Sequence, residues 1–283
     1  SPHGEASSIV KIGPYRDASI ATPGTIYFDN WQIGTTQEAV ARSVPAPPPA
    51  APANPLWVGD AETGDLSQFP DAPWNNVGGT APRVVGHPVR EGRSAIELGL
   101  TGATTRQDGI CCGSRNELQP RFRDLVPGDD LYFGFSTYLA PGFPSDGWQV
   151  ITQFKHSFDI DGSPPLSLNV EHGKFSIQGG YGHPAGPRHF LRPVGPAPTG
   201  QWSDWVLHVK FSPDPSVGFV EVWRDGELVL PRFAPASGTM YPAPRGPAGS
   251  YLKFGPYRDA SIATPGTIYF DNWRIGTTLN VVH

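Results

Sequence analysis

Three short stretches of this chain carry residue types that could hold an anion and move a proton. If residues 114–118 are extended, Arg115 and Glu117 fall on the same side. Over residues 148–155, strict alternation puts Gln149, Gln153 and Lys155 on one side, and Val150, Thr152 and Phe154 on the other. Over residues 251–257 it groups Tyr251, Lys253 and Tyr257, with Leu252 and Phe254 behind them. Amide and guanidinium groups can neutralise a carboxylate, and a phenol can pass a proton. A free tyrosine titrates near pH about 10. Each pattern alone also has an ordinary explanation: an Arg-x-Glu pair is commonly a cross-strand ion pair, and a Tyr-x-Lys face is commonly just solvated.

The elements that would position these residues read as strands. Leu131, Phe133, Phe135, Thr137 and Leu139 share one face, and so do Trp205, Leu207, Val209 and Phe211, with His208 and Lys210 opposite. Residues 219–223 run into Arg224-Asp225-Gly226-Glu227, where Asp-Gly signals a hairpin turn. Residues 166–170 and 174–177 flank a short turn at His172-Gly173. No stretch holds a helical period. Gly (34) and Pro (33) are abundant among the 283 residues, which predicts many turns. Many short strands with such turns argue an all-β fold, a two-sheet sandwich or jelly roll.

Composition bounds the function. The net charge of −5 supplies no global basic field for nucleic acid, so an acidic polymer would need a local basic cleft. No apolar run is long enough to span a membrane. No leader sequence is visible, which predicts a mature or an intracellular chain. Eight Trp against one Met suit an extracellular, sugar-handling β-protein. Cys111 and Cys112, which are adjacent, are read as two small buried or half-buried residues rather than a strained vicinal disulfide.

The chain repeats itself. Pro2 to Thr36 aligns without gaps to Pro244 to Thr278, and Gly13 through Trp31 is identical to Gly255 through Trp273. The expected organisation is a partial repeat at 1–36, a Pro/Ala-rich linker at 37–55 and the complete domain at 56–283. As polyproline II at about 3.1 Å per residue, some twenty linker residues would reach roughly 60 Å. The leading copy reads either as the tail of a preceding, near-identical module or as a strand pair donated to a neighbouring subunit, giving a homo-oligomer or filament. Ile9 stands where the later copy has Tyr251, while Lys11 and Tyr15 match Lys253 and Tyr257.

Taken together, the three polar segments resemble the motifs of the alginate lyases and the related heparin-lyase and glucuronan-lyase jelly rolls. Those families carry Arg-x-Glu-Leu, then Gln-x-His, then Tyr-Phe-Lys-Ala-Gly-x-Tyr. The corresponding residues are Arg115-Asn116-Glu117-Leu118, Gln153-Phe154-Lys155 and Tyr251-Leu252-Lys253-Phe254-Gly255-Pro256-Tyr257. The resemblance runs from Leu56 to the C-terminus. It implies a secreted enzyme that cleaves an acidic, uronic-acid polysaccharide by β-elimination. Gln153 or Arg115 would neutralise the substrate carboxylate. Tyr251 would be the acid and often also the base, and Arg115, Lys155 and Lys253, brought near it, would favour its phenolate and lower its pKa. Lys155 stands where the family has His, with His156 next to it; a bulge could turn His156 into the cleft, otherwise Lys155 would assist with charge while Tyr251 makes both proton transfers, or a base would come from the loop His183 to His189. Glu117, Lys253, Tyr257, Trp148, His183, Arg188 and His189 would bind substrate. No cofactor is required, although Asp60, Glu62 and Asp271 could supply oxygens for a structural Ca²⁺, as in some relatives. The alternatives are a non-catalytic acidic-glycan-binding module and a lyase-fold subunit assembling through its leading strands. A glycoside hydrolase is disfavoured, because no strand carries paired carboxylates.

Overall fold

A computed structural model describes residues 54–69, 76–102, 113–157 and 162–282. The leading copy at 1–36, most of the linker and Cys111-Cys112 lie outside the described residues. In chain order the strands are β1 (Trp57–Gly59), β2 (Asn76–Val77), β3 (Arg83–Val85), β4 (Ala95–Leu100), β5 (Ser114–Asn116), β6 (Asp130–Leu139), β7 (Gln149–His156) and β8 (Leu166–Glu171). They continue as β9 (Lys174–Gly179), β10 (Phe190–Pro196), β11 (Trp202–Lys210), β12 (Phe219–Arg224), β13 (Glu227–Phe233), β14 (Ser250–Arg258) and β15 (Gly266–Gly276). A single helical turn, α1 (Leu279–Val282), follows.

The strands form two antiparallel sheets. One has the order β13-β12-β11-β6-β15-β4-β3, with β1 also pairing to β15. The other has the order β10-β9-β8-β7-β14-β5-β2. Strands far apart in sequence lie side by side, as β6 does with β15 and β7 with β14, and the connections cross between sheets in the jelly-roll manner. The turns are those the residues predict. Asp225 (φ 51°) and Gly226 (φ 82°) close β12 onto β13, and His172 (φ 49°) with Gly173 (φ 70°) closes β8 onto β9.

Alternation decides which side chains meet between the sheets. Leu131, Phe133, Phe135 and Leu139 of β6 and Trp205, Leu207 and Val209 of β11 are all buried in one core. Opposite them lie Ile151, Phe154, Leu168, Ile177, Leu252 and Phe254 of the second sheet. Trp273 joins the two layers. It stacks on Phe135 at 4.1 Å and lies 4.8 Å from Phe254. Such aromatic pairs contribute about 0.5–1.5 kcal/mol each beyond the area they bury.

Candidate active site

The outward face of the seven-stranded sheet gathers the polar residues, and cross-strand register sets their neighbours. Tyr251 pairs with Lys155, Lys253 with Gln153, and Tyr257 with both Val150 and Arg115. Paired residues share a face, so the three sequence-distant segments become one continuous surface across β5, β14 and β7. On the far side of β7 the surface continues into Ser167, which pairs with Gln153, and then Gln178.

Glu117 organises the centre of this surface. Its carboxylate is 1% exposed, accepts a hydrogen bond from Gln153 Nε2 at 2.5 Å and ion-pairs with Lys253 Nζ at 3.2 Å. A buried carboxylate needs such partners. By binding the amide nitrogen, Glu117 fixes which end of Gln153 points elsewhere. Lys253 Nζ also lies 5.9 Å from the centre of the Tyr251 ring. Arg115 stacks its guanidinium 4.1 Å over the Tyr257 ring, and Trp148 meets that ring edge-on at 5.0 Å.

Two expectations are corrected here. Burial, followed by the negative charges of Glu117 and Asp124, raises the pKa of Tyr251 above the ordinary phenol value; Arg115 pulls it down, but by less. The phenol is therefore held protonated, not pushed toward phenolate. Gln149 does not share a side with Gln153. The register against β8 shifts between Val150 and Thr152, so Ile151 turns into the core. Gln149 then pairs with Val170 and Arg258 on the inner side and donates to the carbonyl of Pro144.

His156 keeps strict alternation. Its pairing with Ser250 continues the Tyr251–Lys155 register without a break, and it is 2% exposed. The bulge lies at the other end of β7. His156 nevertheless touches the site through Lys155, whose Nζ is 2.8 Å from His156 Nε2 and also donates to the carbonyl of Gly162. This contact has two arrangements: an ammonium donating to Nε2, or a neutral amine accepting from Nε2–H. Behind His156 lies the buried Tyr241, 5.8 Å between ring centres, with His183 at 5.5 Å from the same ring. Burial pushes the Tyr241 phenol up to about 12 and lowers the pKa of His183. His183 accepts from the amide of Ala185 through Nδ1.

Arg188 and His189 belong to the loop after β9, whose Gly182 packs against Gly162, the residue whose carbonyl Lys155 binds. Arg188 donates to the carbonyl of Ala236, and His189 stacks on the exposed Tyr181 at 3.8 Å. Asp271 accepts from the amides of Arg90, Glu91 and Asn272, and Glu62 from those of Arg93 and Ser94. Asp60 accepts from Gln68 and the amide of Glu62. Among the described residues no group of three His, Cys, Asp or Glu gathers for a metal. Sequence reasoning missed Ser167, Asn169, Ser176 and Gln178. These nearly buried groups bond to one another, Ser167 to Asn169 and Gln178 to Ser176, and extend the polar face. Their alternation with Leu166, Leu168, Phe175 and Ile177 was the available signal.

The site is thus a phenol, three cations and an amide on one face of a two-sheet jelly roll. A family model described as polysaccharide lyase matches residues 61–274, and the chain belongs to that family. It is a polysaccharide lyase. None of the curated proteins compared with it matches. Among solved structures, an endo-β-1,4-glucuronan lyase from the fungus Trichoderma reesei is 19% identical, covers 81% of this chain and 98% of that one, and has a TM-score of 0.64. The catalytic domain of a glycoside hydrolase family 131 protein from Coprinopsis cinerea is 14% identical, covering 80% and 95%, with a TM-score of 0.54. The cellulose-induced protein Cip1 is 15% identical, covering 78% and 97%, with a TM-score of 0.52. These likenesses establish the fold. A glycoside hydrolase among them means that the fold alone does not choose the reaction.

Proposed function

We propose that this enzyme cleaves a uronic-acid polysaccharide outside the cell by β-elimination on the outward face of the seven-stranded sheet. The observation that carries the reading is the register that sets Tyr251 beside Lys155 and Lys253 beside Gln153, with Arg115 opposite Tyr257 four residues further along β14. Elimination needs the uronate carboxylate neutralised while the C5 proton leaves, because the carbanion is otherwise too unstable. Arg115 and the Gln153 amide, fixed by Glu117, serve that role. Lys253 offsets the Glu117 charge, so that the carboxylate does not repel the substrate. Tyr251, held protonated by burial, donates its proton to O4 of the leaving sugar. Lys155, directly across the strand pair from Tyr251, takes the C5 proton as a neutral amine. The C5 electron pair then forms the C4–C5 double bond as the C4–O4 bond breaks.

The test is ultraviolet absorbance over time with glucuronan, alginate, heparin-type and hyaluronan-type polymers in turn, since the unsaturated uronate absorbs and arises only by elimination. A rise on one of them that Tyr251→Phe reduces at least about 10²-fold is expected. The rate should fall as pH climbs through the raised Tyr251 value, because the acid form is lost there, and Lys155→Ala should lower kcat. A flat trace on every polymer, or full turnover by Tyr251→Phe, overturns the assignment.

A further inference from the structure

A cavity of about 660 Å³ lies on the outer face of the other, eight-stranded sheet, and nothing in the elimination chemistry uses it. Its size is that of a small-ligand site. Trp202 and Trp223, both half-buried, line it together with Arg90, Ser136, Asp204 and Asp225. Register fixes the layout. Trp202 and Asp204 lie on the same face of β11, and Trp223 of β12 pairs with Val206 of β11. The two indoles are therefore separated by four residues along the strand, about 13 Å, with Asp204 midway.

The floor between the indoles is polar and braced. Arg90 donates to both Asp204 oxygens, at 2.9 Å from Nε and 2.7 Å from Nη2, and Ser136 donates to Oδ1 at 2.7 Å. The amide of Asp204 donates to Asp225 Oδ1 at 2.8 Å. The Arg90 and Asp204 side chains remain 46% and 40% exposed. Tyr138 lies against Trp202, with ring centres 5.5 Å apart, and Tyr132 flanks Trp223 at 6.4 Å.

We propose that this groove is a second carbohydrate site, separate from the Tyr251 face, that binds a neutral oligosaccharide. The C–H face of a pyranose is slightly positive and suits the negative face of an indole. A sugar hydroxyl both donates and accepts, so a braced Asp204–Arg90 pair answers it in both senses. Charge selects the class. Asp204, Asp225 and Glu91 are each ion-paired, to Arg90, Arg224 and Arg274, so the groove offers no uncompensated cation to a polyuronate and suits a neutral sugar, whereas the Tyr251 face carries Arg115, Lys155 and Lys253. A groove of this kind would hold the enzyme on a neutral polymer while the opposite face cuts an acidic one.

The experiment is isothermal titration of the full chain with cellohexaose, xylohexaose and mannohexaose, with a glucuronan oligosaccharide as the charged control. At least one neutral hexamer should bind and quench tryptophan fluorescence. Trp202→Ala and Trp223→Ala should each weaken binding tenfold or more, with cleavage of soluble polyuronate unchanged. Trp202→Phe and Trp223→Phe, which keep a ring, should retain most of the affinity. No binding of any neutral hexamer, or unaltered affinity in alanine variants of native melting temperature, overturns the proposal. Because the readout is binding, the result is independent of whether the Tyr251 face proves active.

Discussion

Glu117 is the residue on which the proposed chemistry turns, although it transfers no proton itself. It is a positioning residue that orients Gln153 and neutralises Lys253 from a nearly water-free place. Glu117→Gln keeps the shape but leaves Lys253 a buried cation without its counter-charge, and removing one partner of such a pair costs about 3–5 kcal/mol. The expected outcome is a lower urea midpoint together with a fall in kcat larger than any change in KM, because the misplaced amide stabilises the carbanion and not the bound polymer. An unchanged midpoint would mean that the pair does not hold the site. The residue types at this centre were legible from the sequence: Arg115, Glu117, Gln153, Lys253 and Tyr257 share the face that alternation assigned them. What was not legible was environment. Proximity to three cations suggested a more acidic Tyr251, but burial and the two carboxylates weigh more, and neither can be read from strand alternation.

The elements place these side chains through irregularities as much as through regular pairing. The bulge at Ile151 flips half of β7, which is why Gln149 leaves the site while Gln153 and Lys155 stay. One-dimensional alternation cannot foresee it, since the extra residue is defined only against β8. Gly255 is the matching feature in β14. Its φ is +123°, and a Cβ there would sit 2.2 Å from the carbonyl oxygen of Asn116 and 3.0 Å from Cα of Glu117. Only glycine tolerates both the dihedral and the approach. Gly255→Ala should therefore push β5 from β14, costing about 2–3 kcal/mol by urea unfolding. It should also reduce lyase turnover, because Arg115 and Glu117 ride on the displaced segment. Lost stability with full turnover would show that the β5 contact supports the fold alone. The outer-face groove was equally hidden from the sequence. Trp202, Asp204 and Trp223 each look like ordinary strand residues until β11 and β12 are paired.

For the whole molecule, the duplicated segment now has a structural address. Its later copy supplies β14 to one sheet and β15 to the other, and both are interior strands: β14 lies between β7 and β5, and β15 between β6 and the β4/β1 side. The copy also carries Phe254, Phe270 and Trp273, which are buried where the sheets face each other. A second copy that took up these same contacts would not be extending a sheet edge. It would have to expel its twin from both sheets at once, with the loss of the aromatic contacts that join them. The identical sequence from Gly13 to Trp31 gives no energetic advantage to that exchange, and a subunit completed this way would carry Ile9 in place of Tyr251. Light scattering of the whole chain and of a version starting at Leu56 is accordingly expected to give monomer masses for both, with equal lyase activity per molecule. A larger assembly formed only by the whole chain, with activity falling as it grows, would instead mean that the leading pair does replace its twin in a neighbour and silences the site it completes.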